Sequence, residues 1–513
     1  MSENARLTGS KVGITLAAMS GALMAILDIS IVNVALSDIR ASFGTPIDQI
    51  AWVSTGYMMA NIVIIPLTGW FQRRFGFKRY FAFSILLFTL ASALCGLAWN
   101  LPSLVLFRIL QGMGGGAIIP TAQSILFARY PREEHGMAGA LFGLGAVTGP
   151  LLGPTVGGYL IQIASWHWIF LINVPVGIVA TYLAWRHLDQ PGYSAPKESI
   201  DITGIVLLGI GMATLQYVLE EGNRDDWWES RLICGLAIIA AIALLTFIVH
   251  ELETPHPVVD LRVFRNVSYT GSTIINFLIG MTLFSSSYLF SLYCGVVMRY
   301  TALDIGTVFL CAGFVQIFLM PLIGKFSSRF DPRKLMLIGI VGVSISMWMI
   351  AHLTNQASFW DLVRPRMVMS VGLAFLFVPL SMVALSDLPL AQRGNATGLF
   401  NLTRELGGSM GTAYMSVALD RSTKLYALHL RENINPYNPI ATDQLSAMSA
   451  RMAGAGDPMT AAYGMMQGRI AVQALIRSFN DGFLTAAIVF FGSAALLLLL
   501  RRPGLSVKIE GAH

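Results

Sequence analysis

Stretches of about 20 apolar residues recur along the whole chain, and about 20 is the length that crosses a bilayer as a helix. Fourteen of them begin near residues 12, 50, 78, 101, 136, 167, 202, 231, 269, 303, 333, 364, 392 and 481. The chain is 55% hydrophobic and 12% charged, against about 25% charged in soluble domains. The expected fold is therefore all-α and integral to the membrane, with fourteen transmembrane helices and no separate soluble enzyme domain. The first span lacks a small-residue cleavage site after a short apolar core, so it is expected to be retained. A net charge of +6 would suggest nucleic acid in a soluble protein. Here Lys and Arg gather in the tails and short loops on one side, which puts both termini in the cytoplasm. The expected large partner is the lipid bilayer, with no nucleic acid. Cys95, Cys234, Cys294 and Cys311 fall in apolar spans, too scattered for a metal site.

The chain contains a distant repeat. Pro66-Leu-Thr-Gly-Trp-Phe-Gln-Arg-Arg-Phe-Gly-Phe-Lys-Arg79 closes span 2, and Pro321-Leu-Ile-Gly-Lys-Phe-Ser-Ser-Arg-Phe-Asp-Pro-Arg-Lys334 closes span 10. Aligned without a gap, they share Pro, Leu, Gly69 with Gly324, Phe, Arg74 with Arg329, and the two final basic residues; Arg73 and Gly76 belong to the first copy only. Topology anchoring explains the basic residues but not the matched Pro, Gly and Phe. An even offset of eight spans means a parallel repeat about an axis along the membrane normal. The expected division is a six-helix half over 1–190, two inserted helices over 191–260, and a second six-helix half over 261–513 that carries a long polar segment, 418–480. Parity puts that segment outside the cytoplasm. It includes Asn433-Ile-Asn-Pro-Tyr-Asn-Pro439, and 460–478 reads as a mixed amphipathic helix. It is either a flexible external loop or a docking surface for a periplasmic partner.

Gly145, Gly149, Gly153 and Gly157 recur every four residues, with Pro150 and Pro154 between them and Gly158 at the end. Residues four apart share one helix face, so the run describes a helix with a bare groove, bendable at two prolines. Such a helix is poor in water and viable in a bilayer, where small residues admit a neighbouring helix. Ordinary close packing accounts for one GxxxG; four stacked glycines and two prolines suit a joint that repacks as the protein changes shape.

Ionisable residues deep in apolar spans are functional candidates by default. Asp28 lies in span 1, Arg108 in span 4, and Arg404 and Glu405 in span 13. At about 1.5 Å rise per residue, Asp28 and Arg108 each sit roughly 10–14 Å from the external end of their spans, at a shared depth. A carboxylate beside an Arg stays ionised, while one alone in apolar surroundings binds a proton; a site that alternates between the two can carry protons. The competing reading is a fixed structural ion pair, and for Glu405 simple neutralisation by Arg404. Asn33, Asn61, Gln111, Gln123, Gln216 and Gln316 either line a substrate cavity or bridge helices. The 24 Met and 29 Phe suit an adaptable apolar cavity or face lipid. No phosphate-binding GxxxxGK[ST] loop occurs, and His250 and His256 are six apart across a proline, so neither ATP use through that motif nor a metal site is expected. No cofactor and no enzymatic activity are expected.

These residues resemble the major facilitator superfamily, specifically the fourteen-span drug:proton antiporters of the EmrB/QacA type, over nearly the whole length. Gly149-Pro-x-x-Gly-Pro-x-x-Gly-Gly158 resembles the antiporter motif of span 5. Arg108-x-x-Gln-Gly-x-Gly114 is similar to the span 4 motif, whose Arg the family implicates in proton coupling. Leu27-Asp-x-Ser-Ile-Val-Asn-Val-Ala35 is similar to the span 1 motif with Ser30 for the usual Thr, and Trp168-Ile-Phe-Leu-Ile-Asn-Val-Pro-Val-Gly177 to the start of span 6. The family usually has an Asp four residues after Gly69; here it is Arg73, so a latch on that acid does not carry over. The long segment before span 14 looks most like the Gram-negative EmrB branch. That resemblance implies a bacterial inner-membrane location, a periplasmic membrane-fusion adaptor and an outer-membrane channel. It implies proton-coupled export of hydrophobic, drug-like compounds by alternating access. The rivals are a narrow exporter of one metabolite or fatty acid, an uptake symporter, and a membrane sensor that transports nothing.

Overall fold

The computed structural model describes residues 10–131, 134–190, 193, 200–327, 330–386, 388–432, 434, 437–451 and 457–500. Arg329 and the side chains of Asn33, Pro150 and Pro154 fall outside that description. The described chain is a bundle of long helices: α1 (Lys11–Phe43), α2 (Trp52–Gly96), α3 (Leu101–Arg129), α4 (His135–Ile163), α5 (Asn173–His187), α6 (Ile202–Glu221), α7 (Arg231–Glu253), α8 (Val267–Val296), α9 (Ala302–Ser327), α10 (Pro332–Ile350), α11 (Phe359–Ser386), α12 (Leu390–Glu432), α13 (Pro439–Arg451) and α14 (Pro458–Gly492). Eleven helices among the described residues are long and apolar enough to cross a membrane.

Spans 2 and 3 follow each other without a loop: the 45 residues of α2 are two helices that meet at a kink. At about 1.5 Å per residue their combined length is enough for two crossings of the hydrocarbon layer. The helix breaks at Gly76, whose φ of 79° and ψ of 160° suit glycine and almost no other residue. Gln190 Oε1 accepts the Phe77 N–H at 3.1 Å there, and the Tyr193 hydroxyl donates to the Arg73 carbonyl. The helix expected over 460–478 is there, within α14, and the polar segment departs from the sequence reading in that most of its remainder is helical as well. α12 runs on to Glu432, α13 follows, and α14 starts at Pro458, well before the apolar stretch. Asp457 caps α14 by accepting from Met459 N at 3.1 Å and Thr460 N at 3.3 Å. Leu445 and Met448 of α13 pack on Ala462, Met466 and Ile470 of α14 and on Ala427 and Leu430 of α12. A small apolar core thus gives these helices a reason to persist beyond the bilayer.

Two seams cross the bundle. α4 packs on α9 and α11, and α12 packs on α2 and α3. Around them α1 packs on α4 and α5, α2 on α3, α8 on α12, and α10 on α11. α6 pairs with α7 and reaches α2 and α12, while α7 is the least buried of the crossing helices. We call the end of the bundle holding residues 69–79 the basic face and the end holding α13 the opposite face.

Candidate functional site

Asp28 and Arg108 meet. Asp28 of α1 is 0% exposed and Arg108 of α3 is 1% exposed. Arg108 Nη1 donates to Asp28 Oδ2 at 2.7 Å and to Gln111 Oε1 at 2.8 Å. Gln111, one helical turn along α3, turns its amide nitrogen to Asp28 Oδ1 at 2.8 Å. Asn173 Nδ2, at the start of α5, donates to the same oxygen at 2.8 Å and to Ser92 Oγ at 3.0 Å. The other side of the guanidinium is held by the Val53 carbonyl, 3.0 Å from Nε, and by the Tyr57 ring, 4.1 Å away. The carboxylate therefore accepts three N–H donors and has an opposite charge in contact, the terms on which a buried ion pair is tolerated. Four helices, α1, α2, α3 and α5, each contribute a group, so relative movement of any one breaks part of the set. The Asn100–Ser103 capping box, with Asn100 Oδ1 accepting from Ser103 N at 2.9 Å, starts α3 so that Arg108 is its eighth residue.

The glycine face of α4 receives α1. A Cβ on Gly149 would run into Ile26, one on Gly153 into the Ser30 hydroxyl, and one on Gly157 would lie 2.8 Å from Ile31 Cγ1; Gly145 faces Met19, and Gly158 has open space. Ser30 Oγ donates to the Gly149 carbonyl at 2.6 Å, a cross-helix bond possible only where backbones come this close. The partner helix is α1, which carries Asp28, and the helix runs on through positions 150 and 154.

The two copies of the repeated motif occupy equivalent places on the two seams. A Cβ on Gly69 would lie 2.5 Å from Asn395 Cα of α12; one on Gly324 would lie 2.7 Å from Ala140 Cβ and 2.9 Å from the Gly136 carbonyl of α4. Both glycines let one backbone rest on another. Further bonds cross the α12 seam at the basic face. Arg393 Nη1 donates to the Phe127 carbonyl at 3.2 Å, and Asn401 Nδ2 to Gln123 Oε1 at 2.6 Å. Asn395 exchanges two bonds with the Asp260 backbone, at 2.8 and 3.1 Å. Arg73 donates to the Pro257 carbonyl at 3.5 Å. Arg74 lies on the same motif in α2.

The remaining sequence candidates are dispersed. Arg404 Nη2 lies 3.6 Å from Glu405 Oε1 within α12. Asn61 donates to the Tyr57 hydroxyl at 3.4 Å. Gln216 of α6 donates to Glu220 at 2.8 Å and Ser409 at 2.9 Å. Gln316 is buried with its amide nitrogen unbonded. Among the described residues no three metal-ligating side chains converge.

Sequence reasoning missed Asn173, whose role depends on the rotation of α5, and it missed Arg366. Arg366 is 3% exposed and is the eighth residue of α11, as Arg108 is of α3. It stacks on Phe290 at 4.0 Å and Phe309 at 4.7 Å and donates to the Ser286 carbonyl at 3.0 Å. Where Arg108 has Asp28, Arg366 has Ser286, and no acid pairs with it among the described residues. Aligning span 4 with span 12, at the same eight-span offset as spans 2 and 10, would have found it.

The Major Facilitator Superfamily profile matches residues 18–412. The chain belongs to that superfamily. It is 34% identical over 496 residues to the multidrug export protein EmrB of Haemophilus influenzae, covering 96% of each chain. It is 32% identical over 485 residues to the colistin resistance protein EmrB of Acinetobacter baumannii, covering 94% of each. The human organic anion transporter MFSD10 has the same fold, with a TM-score of 0.60 at 12% identity, covering 96% of this chain and 100% of that one. Membership makes the protein a multi-pass membrane transporter of the EmrB type and not an enzyme.

Proposed function

We propose that the protein exports hydrophobic, drug-like compounds from the bacterial cytoplasm in exchange for protons, through a cavity between two halves that rock about it. The observation that carries this reading is the Asp28–Arg108–Gln111–Asn173 set, a carboxylate buried at membrane depth and held by groups from four helices. In one state Asp28 holds the Arg108 guanidinium; in the other it gives up that partner for a proton. Substrate and proton then compete for one conformational equilibrium. Arg cannot release its proton in practice, so Arg108 acts on the acid and the acid is the carrier, with Glu405 and Arg404 as the second pair. Asn61, Gln123 and Gln316 supply polar points along the substrate route.

Counting the two arms of α2 separately, and adding α4 and α12 to the crossing helices, gives fourteen spans. The division into 1–190, 191–260 and 261–513 then leaves α6 and α7 as the inserted pair. The basic face is cytoplasmic by its Lys and Arg, which puts both termini inside and α13 in the periplasm. The backbone approaches at Gly69 and Gly324 support a state closed on the cytoplasmic side. The α12–α13–α14 extension, with Tyr437 and Ile440 exposed, is the docking surface for a membrane-fusion adaptor that leads to an outer-membrane channel.

The test is purified protein in liposomes under an imposed pH gradient, with a panel of hydrophobic cations, neutral compounds and fatty acids. Gradient-driven movement of several chemical types against their own gradient is the expected result. Movement of one compound alone would make it a narrow exporter, movement with the protons a symporter, and no flux a sensor.

A further inference from the structure

On the opposite face, α8, α12 and α14 enclose a crevice of about 320 Å³, within the size range of small-molecule sites. Its inner wall is Leu289 of α8 and Met415 of α12. Gly482 of α14 opens it, since a Cβ there would sit 3.3 Å from Leu289 Cδ1 and 3.7 Å from Met415 Sδ. Its rim includes Ile488, which is 65% exposed on the outside of the bundle, the direction lipid occupies. Its polar end is the Asp481 carboxylate, beside Ser422 and Ser478. The Tyr426 hydroxyl donates to Asp481, and no Lys or Arg forms an ion pair with it among the described residues. Of the cations nearby, Lys424 of α12 is held by Asp420 at 2.6 Å, and Arg477, one turn before Asp481 on α14, lies outside the crevice lining. The crevice thus has an apolar body open to the membrane and one negative head group where α14 leaves the bilayer.

We propose that this crevice binds a single-chain amphiphile with a cationic amine head, its chain against Leu289 and Met415 and its head at Asp481. Charge and shape both select the class. A carboxylate at the membrane edge attracts an amine and repels a sulfate or carboxylate, and the apolar walls reward a hydrocarbon chain. Two sources have this chemistry: an exported cationic amphiphile, and an amine-headed phospholipid of the outer leaflet. The site is separate from the Asp28 network and does not depend on the transport reading.

The test uses the full-length protein in nanodiscs of phosphatidylglycerol, without any gradient. The probe is an alkyltrimethylammonium with a twelve-carbon chain carrying a photoreactive diazirine, and crosslinks are mapped by mass spectrometry. The expected result is saturable labelling of the segments 414–422 and 481–488, reduced at least tenfold by Asp481→Asn and by Gly482→Leu. An alkyl sulfate of the same length should label them at least tenfold less. Adding phosphatidylethanolamine separates the sources. Suppressed labelling assigns the crevice to the lipid, and undiminished labelling assigns it to the free amphiphile. Labelling that is equal in Asp481→Asn, or equal for the sulfate, overturns the proposal whatever the transport assay shows.

Discussion

Asp28→Asn keeps the size of the side chain and removes its charge, and its consequences can be worked from the contacts. Asp28 accepts from Arg108 at 2.7 Å on one oxygen, and from Gln111 and Asn173 at 2.8 Å on the other. An amide offers one acceptor and one NH2. With its oxygen toward Gln111 and Asn173, its NH2 faces the Arg108 N–H; turned round, it faces two amide donors. Either way a donor opposes a donor, and Arg108 stays buried without its anion. Removing one partner of a buried pair costs about 3–5 kcal/mol, or about two to three and a half decades in the population of this arrangement at about 1.4 kcal/mol per decade. The variant should unfold at a lower temperature and release no protons when substrate is added to detergent-solubilised protein, while still binding some substrate. The double variant Asp28→Asn with Arg108→Gln removes the stranded charge, so it should regain much of the lost thermal stability and none of the proton release. If Asp28→Asn releases protons as the unaltered protein does, the assignment is wrong, and Glu405 becomes the first residue to change.

Gly153→Leu places a branched side chain where Ser30 lies, and overpacking of this kind costs about 1–3 kcal/mol; membrane abundance should fall less than transport does, and normal transport at normal abundance would refute the groove argument. Gly69→Val should hold the α2–α12 seam apart, so a cysteine-reactive probe should reach a cysteine placed at Thr121 faster than in the parent protein. Arg366→Met removes a buried cation that has no acid paired with it among the described residues, and since burying a charge is costly it should leave the unfolding temperature unchanged or higher; a marked drop would make Arg366 a structural brace. Shortening the segment between α12 and α14 should abolish whole-cell resistance and spare transport in liposomes, and equal loss in both would place its role within the transporter.

The apolar stretches were legible because the bilayer imposes one length on every span, and the depth match of Asp28 and Arg108 because a helix rises at a fixed rate. Gly69 and Gly324 were legible as a pair because a repeat preserves spacing. What faces what was not. Gln111 could have been a bridge or cavity lining until the rotation of α3 aimed it at Asp28, and Asn173 drew no notice until the rotation of α5 brought it to the same carboxylate. The four-glycine groove could have faced any neighbour, and only packing shows that it takes α1. Within 418–480 only 460–478 reads as a helix, because apolar residues elsewhere are too sparse for a span, yet Leu445 and Met448 suffice to close a small helical core with Met466 and Ile470.

The close approaches at Gly69 and Gly324 are made by uncharged atoms, the Asn395 backbone at one and the Ala140 methyl and Gly136 carbonyl at the other. Contact of that kind depends on shape and dispersion, with nothing to titrate and little for salt to screen. In the closed state proposed above, the grip on the basic face is therefore largely indifferent to acidity on either side. The acid sensing proposed for Asp28 sits well inside the bundle, on helices other than α12. On the proposed reading, holding and sensing are built from different physics, so a change in the strength of one contact at the seam leaves the Asp28 network as it was.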